Sequence, residues 1–229
     1  MTDPQAVPSQ PLRRDPYLPA RLAMVEQQVR RRGISNEHVL YALETLPRHE
    51  FVPTDSQREA YDDRALPIGF GQTISQPYMV GLMLSLLEVD SGHRVLEVGA
   101  GSGYVCALLG MLTREVYGLE LVPELAERAA AMMQRLELTN VHILAGDGSV
   151  GYPEAAPFDR ILVSAATPAL PAPLADQLAE GGRLLAPIGG RSVQTCRLTI
   201  KRNGELRTRD SIECMFVPLR GEHGWHDGA

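Results

Sequence analysis

The hydrophobic pattern changes character near residue 94. Before that point apolar positions recur at helical spacing. Leu22, Val25 and Val29 share one face of a predicted helix that Gly33 stops. Val39, Leu40 and Leu43 form the apolar face of a second helix, with Ser35 as its expected cap and Pro47 as its end. Residues 66–77 are polar and glycine-rich, which predicts a loop, and Pro77 opens a helix through about Leu87. From residue 94 short apolar runs alternate with amphipathic stretches. The runs predict strands at 94–98, 116–120, 141–145, 160–165, 183–188, 195–201 and 212–217, with helices at 103–112, 123–138 and 171–179. Leu125, Ala129, Met132, Met133 and Leu136 make a core-facing stripe on the second of these helices.

Strand–helix alternation of this length implies a parallel sheet covered by helices. The last strands lack an intervening helix, and Asn203-Gly204 is the turn of an antiparallel hairpin. The expected fold is α/β: a doubly wound, mostly parallel seven-stranded Rossmann-like sheet with an N-terminal helical cap and a C-terminal hairpin. Residues 1–21, with Pro4, Pro8, Pro11, Pro16 and Pro19, are expected to be a flexible tail. Residues 22–220 form one domain, divided into a cap and glycine-rich loop (22–90) and a sheet (91–220). Residues 221–229 are a polar tail.

A chain of 229 residues, 44% hydrophobic, is long enough to bury one sizeable core. Its net charge of −6 argues against a nucleic-acid partner, which needs a basic face. Arg30-Arg31-Arg32 reads as a solvated helix face, with a partner site as the alternative. Cys106, Cys196 and Cys214 have neither paired nor zinc-binding spacing, so a reducing compartment is expected. His223 and His226 lie in the polar tail, and no metal site is expected. No leader pattern opens the chain, and no run approaches the roughly 18 apolar residues of a membrane span. The expectation is a soluble, cytoplasmic monomer.

The candidate chemistry lies at the predicted strand ends. Gly99, Gly101 and Gly103 follow the first strand and open a helix, the context in which such glycines let backbone approach a ligand. Glu120 ends the second strand, where a carboxylate can accept from both ribose hydroxyls, and Leu121 follows it. Asp147-Gly148 ends the third, where the aspartate can accept from an adenine amino group or simply form a turn. All three occur at sheet C-terminal ends, where open α/β sheets bind ligands. The spacing is not G-x-x-G after the second glycine, which separates it from the usual dinucleotide fingerprint, and a nicotinamide cofactor is the alternative.

Several segments together resemble the protein L-isoaspartate (D-aspartate) O-methyltransferase family. They are Tyr61-Asp62-Asp63-Arg64-Ala65-Leu66-Pro67-Ile68-Gly69, Gln72-Thr73-Ile74-Ser75-Gln76-Pro77, Val98-Gly99-Ala100-Gly101-Ser102-Gly103-Tyr104, Gly146-Asp147-Gly148, Ala165-Ala166-Thr167-Pro168 and Phe216-Val217-Pro218-Leu219. The Thr-Ile-Ser-Gln-Pro loop is the specific part, since other S-adenosylmethionine-dependent methyltransferases share the glycine loop. The resemblance implies S-adenosyl-L-methionine as cofactor, S-adenosyl-L-homocysteine as product, and isoaspartyl-containing proteins and peptides as substrates. The ester would then collapse to a succinimide and partly hydrolyse to normal aspartate, a repair of damaged chains. It also implies Ser75 as catalytic residue, Gln72, Thr73, Ile74 and Ser75 near the cofactor, and Thr73, Ile74 and Ser75 on the substrate. Read from local sequence alone, Ser75 is first of all a helix N-cap before Pro77, a role that can coexist with the catalytic one. Ala100, Val105 and Arg220 depart from residues common in the family. Competing functions are a small-molecule or RNA methyltransferase on the same fold, and a cofactor-binding protein without catalysis.

Overall fold

The computed structural model describes residues 15–225. Helix α1 spans Leu18–Met24 and continues through a π-helical segment, Val25–Val29, and a 3-10 turn, Arg30–Arg32. It begins inside the stretch expected to be a loose tail. Pro19 sits in its first turn, where the missing N–H leaves no bond unmade. The buried Arg21 donates to the Glu44 carbonyl at 2.7 Å and pairs with Asp15 at 2.8 Å. Pro4, Pro8 and Pro11 lie outside the described residues, as does His226. Helix α2, Glu37–Thr45, is capped by Asn36 and not by Ser35. The Asn36 side-chain Oδ1 accepts the His38 and Val39 amides at 3.1 and 3.2 Å.

The glycine-rich stretch is a small hairpin, not a bare loop. Strands β1, Leu66–Gly69, and β2, Gln72–Ile74, pair antiparallel. Leu66, Ile68 and Ile74 are buried between exposed neighbours, an alternation that the short strands and their glycines conceal in sequence. The tip, Gly69-Phe70-Gly71, has φ positive at all three residues. Helix α3, Pro77–Leu87, then leads to the main sheet.

That sheet comprises β3 (Arg94–Val98), β4 (Glu115–Glu120), β5 (Val141–Ala145), β6 (Phe158–Val163), β7 (Leu178–Gly189), β8 (Gln194–Arg202) and β9 (Glu205–Cys214), in spatial order β5-β4-β3-β6-β7-β8-β9. The pairs from β5 to β7 are parallel, and β8 and β9 run antiparallel. Helices α4 (Tyr104–Leu112), α5 (Pro123–Arg135) and α6 (Ala172–Asp176) connect the parallel strands. The expected seven-stranded, mostly parallel sheet is therefore present, and several boundaries differ; the strand placed at 183–188 begins five residues earlier, and the helix placed at 123–138 ends at Arg135. The strand placed at 160–165 lies two residues earlier. The helix placed at 171–179 is shorter, because Leu178 already pairs with Phe158. The strand placed at 212–217 is Glu205–Cys214, an edge strand exposed along most of its length, so no apolar alternation marks it.

Both faces of the parallel part of the sheet are buried. Leu96, Val98, Ile161, Val163 and Leu184 pack on one face with α6 residues such as Leu174. Val95, Leu162 and Leu185 face the other way, into the core shared with α2 to α5. Strand order reverses on either side of β3, which opens a crevice at the carboxyl ends of β3 and β6. No helix of the described residues is long and apolar enough to cross a membrane.

Candidate active site

An open cleft occupies that crevice. Gln72, Thr73, Gly99, Gly101, Glu120, Leu121 and Gly148 line it, as expected from sequence. The glycine loop is fixed to β4, since the Gly99 and Ala100 amides donate to the Leu119 carbonyl at 2.8 and 3.0 Å. Glu120 is buried, and its carboxylate accepts the Gly101 amide at 2.7 Å and the Val122 amide at 2.9 Å. Leu121 leaves an apolar surface 42% exposed beside that carboxylate. A carboxylate for a diol, an apolar wall for a flat base and bare glycine backbone make a donor set that fits an adenosyl group joined to an amino acid. Gly101 also has only 3.3 Å between an added Cβ and the Ile68 side chain, so the loop stays thin where it meets the cleft.

Sequence reasoning missed several walls. Phe70 projects from the hairpin tip, Ser164 and Ala165 follow β6, and Val217, Pro218, Leu219 and Arg220 close the far side. Arg220, noted as a departure from the family, thus lines the cleft itself. Beneath the cleft Glu97 is wholly buried and accepts hydrogen bonds from Ser164 Oγ at 2.7 Å and Cys106 Sγ at 2.8 Å. Burial pushes its carboxyl up to about 7, against the lowering effect of those two donors.

Four expected cofactor contacts do not line the cleft. Ile74 is buried in the core. Gly103 packs α4 onto α5, where an added Cβ would lie 3.0 Å from both Ala129 and Met133. Asp147 Oδ1 accepts the Ser149 amide and hydroxyl, and Oδ2 accepts the Glu222 amide. The polar tail is therefore folded over Asp147 as far as it is described. Ser75 faces a second cavity.

This second cavity is a groove between the start of α3 and the end of β9. Ser75, Gln76 and Tyr78 line one wall, Ile212 to Phe216 the other, and Thr73 borders both groove and cleft. Ser75 does not cap α3. The cap position belongs to Gln76, and no side chain bonds the helix amides there. The basic run is dispersed among carboxylates: Arg30 pairs with Glu37, Arg31 with Glu26 and Arg32 with Asp63. Arg32 also stacks on Tyr78 at 3.4 Å, at the groove wall. Asp62 and Asp63 do not act as a pair, since their carboxylates bond different arginines. No cluster of metal-binding side chains occurs among the described residues.

The comparisons agree with this geometry. The profile of the protein-L-isoaspartate(D-aspartate) O-methyltransferase family matches residues 20–224. A protein-L-isoaspartate O-methyltransferase of Methanoculleus marisnigri is 49% identical over 211 residues, covering 92% of this chain and 96% of the relative. One from Roseiflexus sp. strain RS-1 is 52% identical, covering 90% of this chain and 94% of the relative. A solved protein-L-isoaspartate O-methyltransferase superposes with a TM-score of 0.81 at 30% identity, over 89% of this chain and 67% of that one. A Plasmodium falciparum structure described as a complex with S-adenosyl-L-homocysteine gives 0.75 at 27% identity, over 87% of this chain and 98% of that one. By that match over residues 20–224 and these relatives at 49% and 52% identity, the chain belongs to the protein-L-isoaspartate(D-aspartate) O-methyltransferase family.

Proposed function

We propose that the chain methylates the α-carboxylate of L-isoaspartyl residues in damaged proteins and peptides, with the cofactor in the cleft and the substrate chain in the groove. The observation that carries this reading is the pair of cavities meeting at Thr73, with Glu120 in one and Ser75 in the other. S-adenosyl-L-methionine, when bound, supplies a sulfonium methyl to a carboxylate oxygen and leaves as S-adenosyl-L-homocysteine. An α-carboxyl has an ordinary pKa of roughly 3.5 and is already ionised near neutrality. The protein therefore needs no base, nucleophile or metal for this step, and its task is to align two reactants. Glu120, Gly99 and Gly101 hold the cofactor side. The Ser75 hydroxyl donates to the substrate carboxylate and orients it, while Thr73 spaces the two.

The dispersed arginines and acidic balance support a peptide substrate over a nucleic acid. Three free cysteines, two of them buried, support a reducing, cytoplasmic setting. Ser75→Ala tests the assignment. It should fold and keep cofactor affinity while slowing methyl transfer about 10- to 1,000-fold, the scale of one positioned donor. Normal turnover per folded molecule would remove Ser75 from the mechanism.

A further inference from the structure

Arg48 is fully buried at the entrance to a 3-10 turn, Arg48–Phe51, far from the solvent that guanidinium groups normally reach. Its Nε donates to the Ala60 carbonyl at 2.7 Å, and its Nη2 donates to the Ser75 carbonyl at 2.8 Å. The guanidinium lies 5.2 Å from the Tyr104 ring, at the first residue of the helix that leaves the glycine loop. Nη1 is buried without a hydrogen-bond partner. A cation buried on two carbonyls and a ring, with no carboxylate bonded to it, is costly to stability.

We propose that Arg48 is a positioning residue for methyl transfer, acting by clamping the Ser75 carbonyl. The inference rests on the role given to Ser75 above. The rigid guanidinium fork fixes Ser75 against Ala60 on one side and against the helix of the glycine loop on the other. Because Arg48 is interior, the Ser75 carbonyl is drawn inward. Its lone pairs are kept from the groove where an anionic carboxylate must sit, and the Gln76 N–H of the same trans peptide lies on the opposite side. The clamp thereby sets the Ser75 hydroxyl relative to the cofactor cleft. A lysine would keep the charge but could not hold both carbonyls in one plane.

The test is a double-mutant cycle with Arg48→Lys, Ser75→Ala and the pair, reading kcat and KM on an isoaspartyl peptide and cofactor affinity by calorimetry. Arg48→Lys should lower kcat about 10- to 100-fold, the scale of a misplaced reactive group, with cofactor affinity changed less than about threefold. In the Ser75→Ala background the same change should cost less than about threefold, because the group it positions is gone. An equal loss in both backgrounds, or no loss in either, would overturn the clamp. Normal turnover of Ser75→Ala alone would instead overturn the reading of Ser75. Should Arg48→Lys fail to fold, the unmodified protein carries the test. Arg48 guanidinium protons should exchange slowly and show through-bond coupling to the Ser75 carbonyl, and fast exchange without coupling would overturn the proposal.

Discussion

The Glu222 amide donates to Asp147 Oδ2 at 2.7 Å across 75 residues of sequence. The turn after Leu219 is thereby tied to the loop that follows β5, at the far edge of the cleft. The His223 amide adds a bond to Ser149 Oγ at 3.0 Å, and Trp225 returns to the Leu219 carbonyl at 2.7 Å.

This bond makes the turn pH-sensitive in a defined direction. Burial alone would raise the Asp147 carboxyl, but the Glu222 amide and the Ser149 donors outweigh it and hold the group below its ordinary value. A depressed folded pKa stabilises above the unfolded value and is lost as pH falls through the folded one. Fluorescence of Trp225, the single tryptophan, should therefore be constant from neutrality to about pH 4, roughly the ordinary aspartate value, and change only below it. Asp147→Asn should abolish that acid transition. A transition near neutrality would contradict the assignment.

Glu120 joins the cofactor site to the glycine loop through its two amide bonds. Glu120→Ala should weaken S-adenosylmethionine binding by about 1–3 kcal/mol, the scale of a lost charged hydrogen-bond partner. It should also speed hydrogen exchange at Gly101. Calorimetry showing unchanged affinity would separate Glu120 from the cofactor.

Glu97 carries the opposite pH signature. Its folded pKa of about 7 exceeds the unfolded carboxylate value because burial disfavours the charged form. The folded chain keeps a proton that the unfolded chain loses, so stability falls as pH rises from about 4.3 to about 7 and levels off above. Thermal unfolding without cofactor should show this slope in the unmodified protein and lose it in Glu97→Gln. Parallel curves for the two proteins would contradict it.

Gly103 separates packing from binding. It sits at φ 81 with Ala129 and Met133 where a Cβ would go, and it does not line the cleft. Gly103→Ala should cost about 1–3 kcal/mol of stability, the scale of a strained backbone site. Cofactor affinity measured on the folded fraction should stay near normal. A loss of affinity without a loss of stability would return Gly103 to the binding site.

The parallel sheet was legible because β3, β4 and β6 are short apolar runs flanked by helical periods. Glycines and acids at their ends marked the cleft for the same reason. What stayed hidden lacks a local signal. Strand β9 has no buried alternation, the hairpin at 66–74 is masked by its glycines, and Asn36 and Ser35 are equally good caps in sequence. Phe70 and Ser164 reach the cleft through tertiary packing, and no spacing along the chain announces that. The family resemblance identified Ser75, whereas only the structure places it in a different cavity from Glu120.

The most direct measurement uses two peptides identical except for one residue, aspartyl in one and L-isoaspartyl in the other. Each is incubated with the protein and methyl-labelled S-adenosylmethionine. Base-labile label should accumulate on the isoaspartyl peptide and stay at background on its aspartyl twin. Equal labelling of both, or of neither, would contradict the assignment of the groove to an isoaspartyl chain.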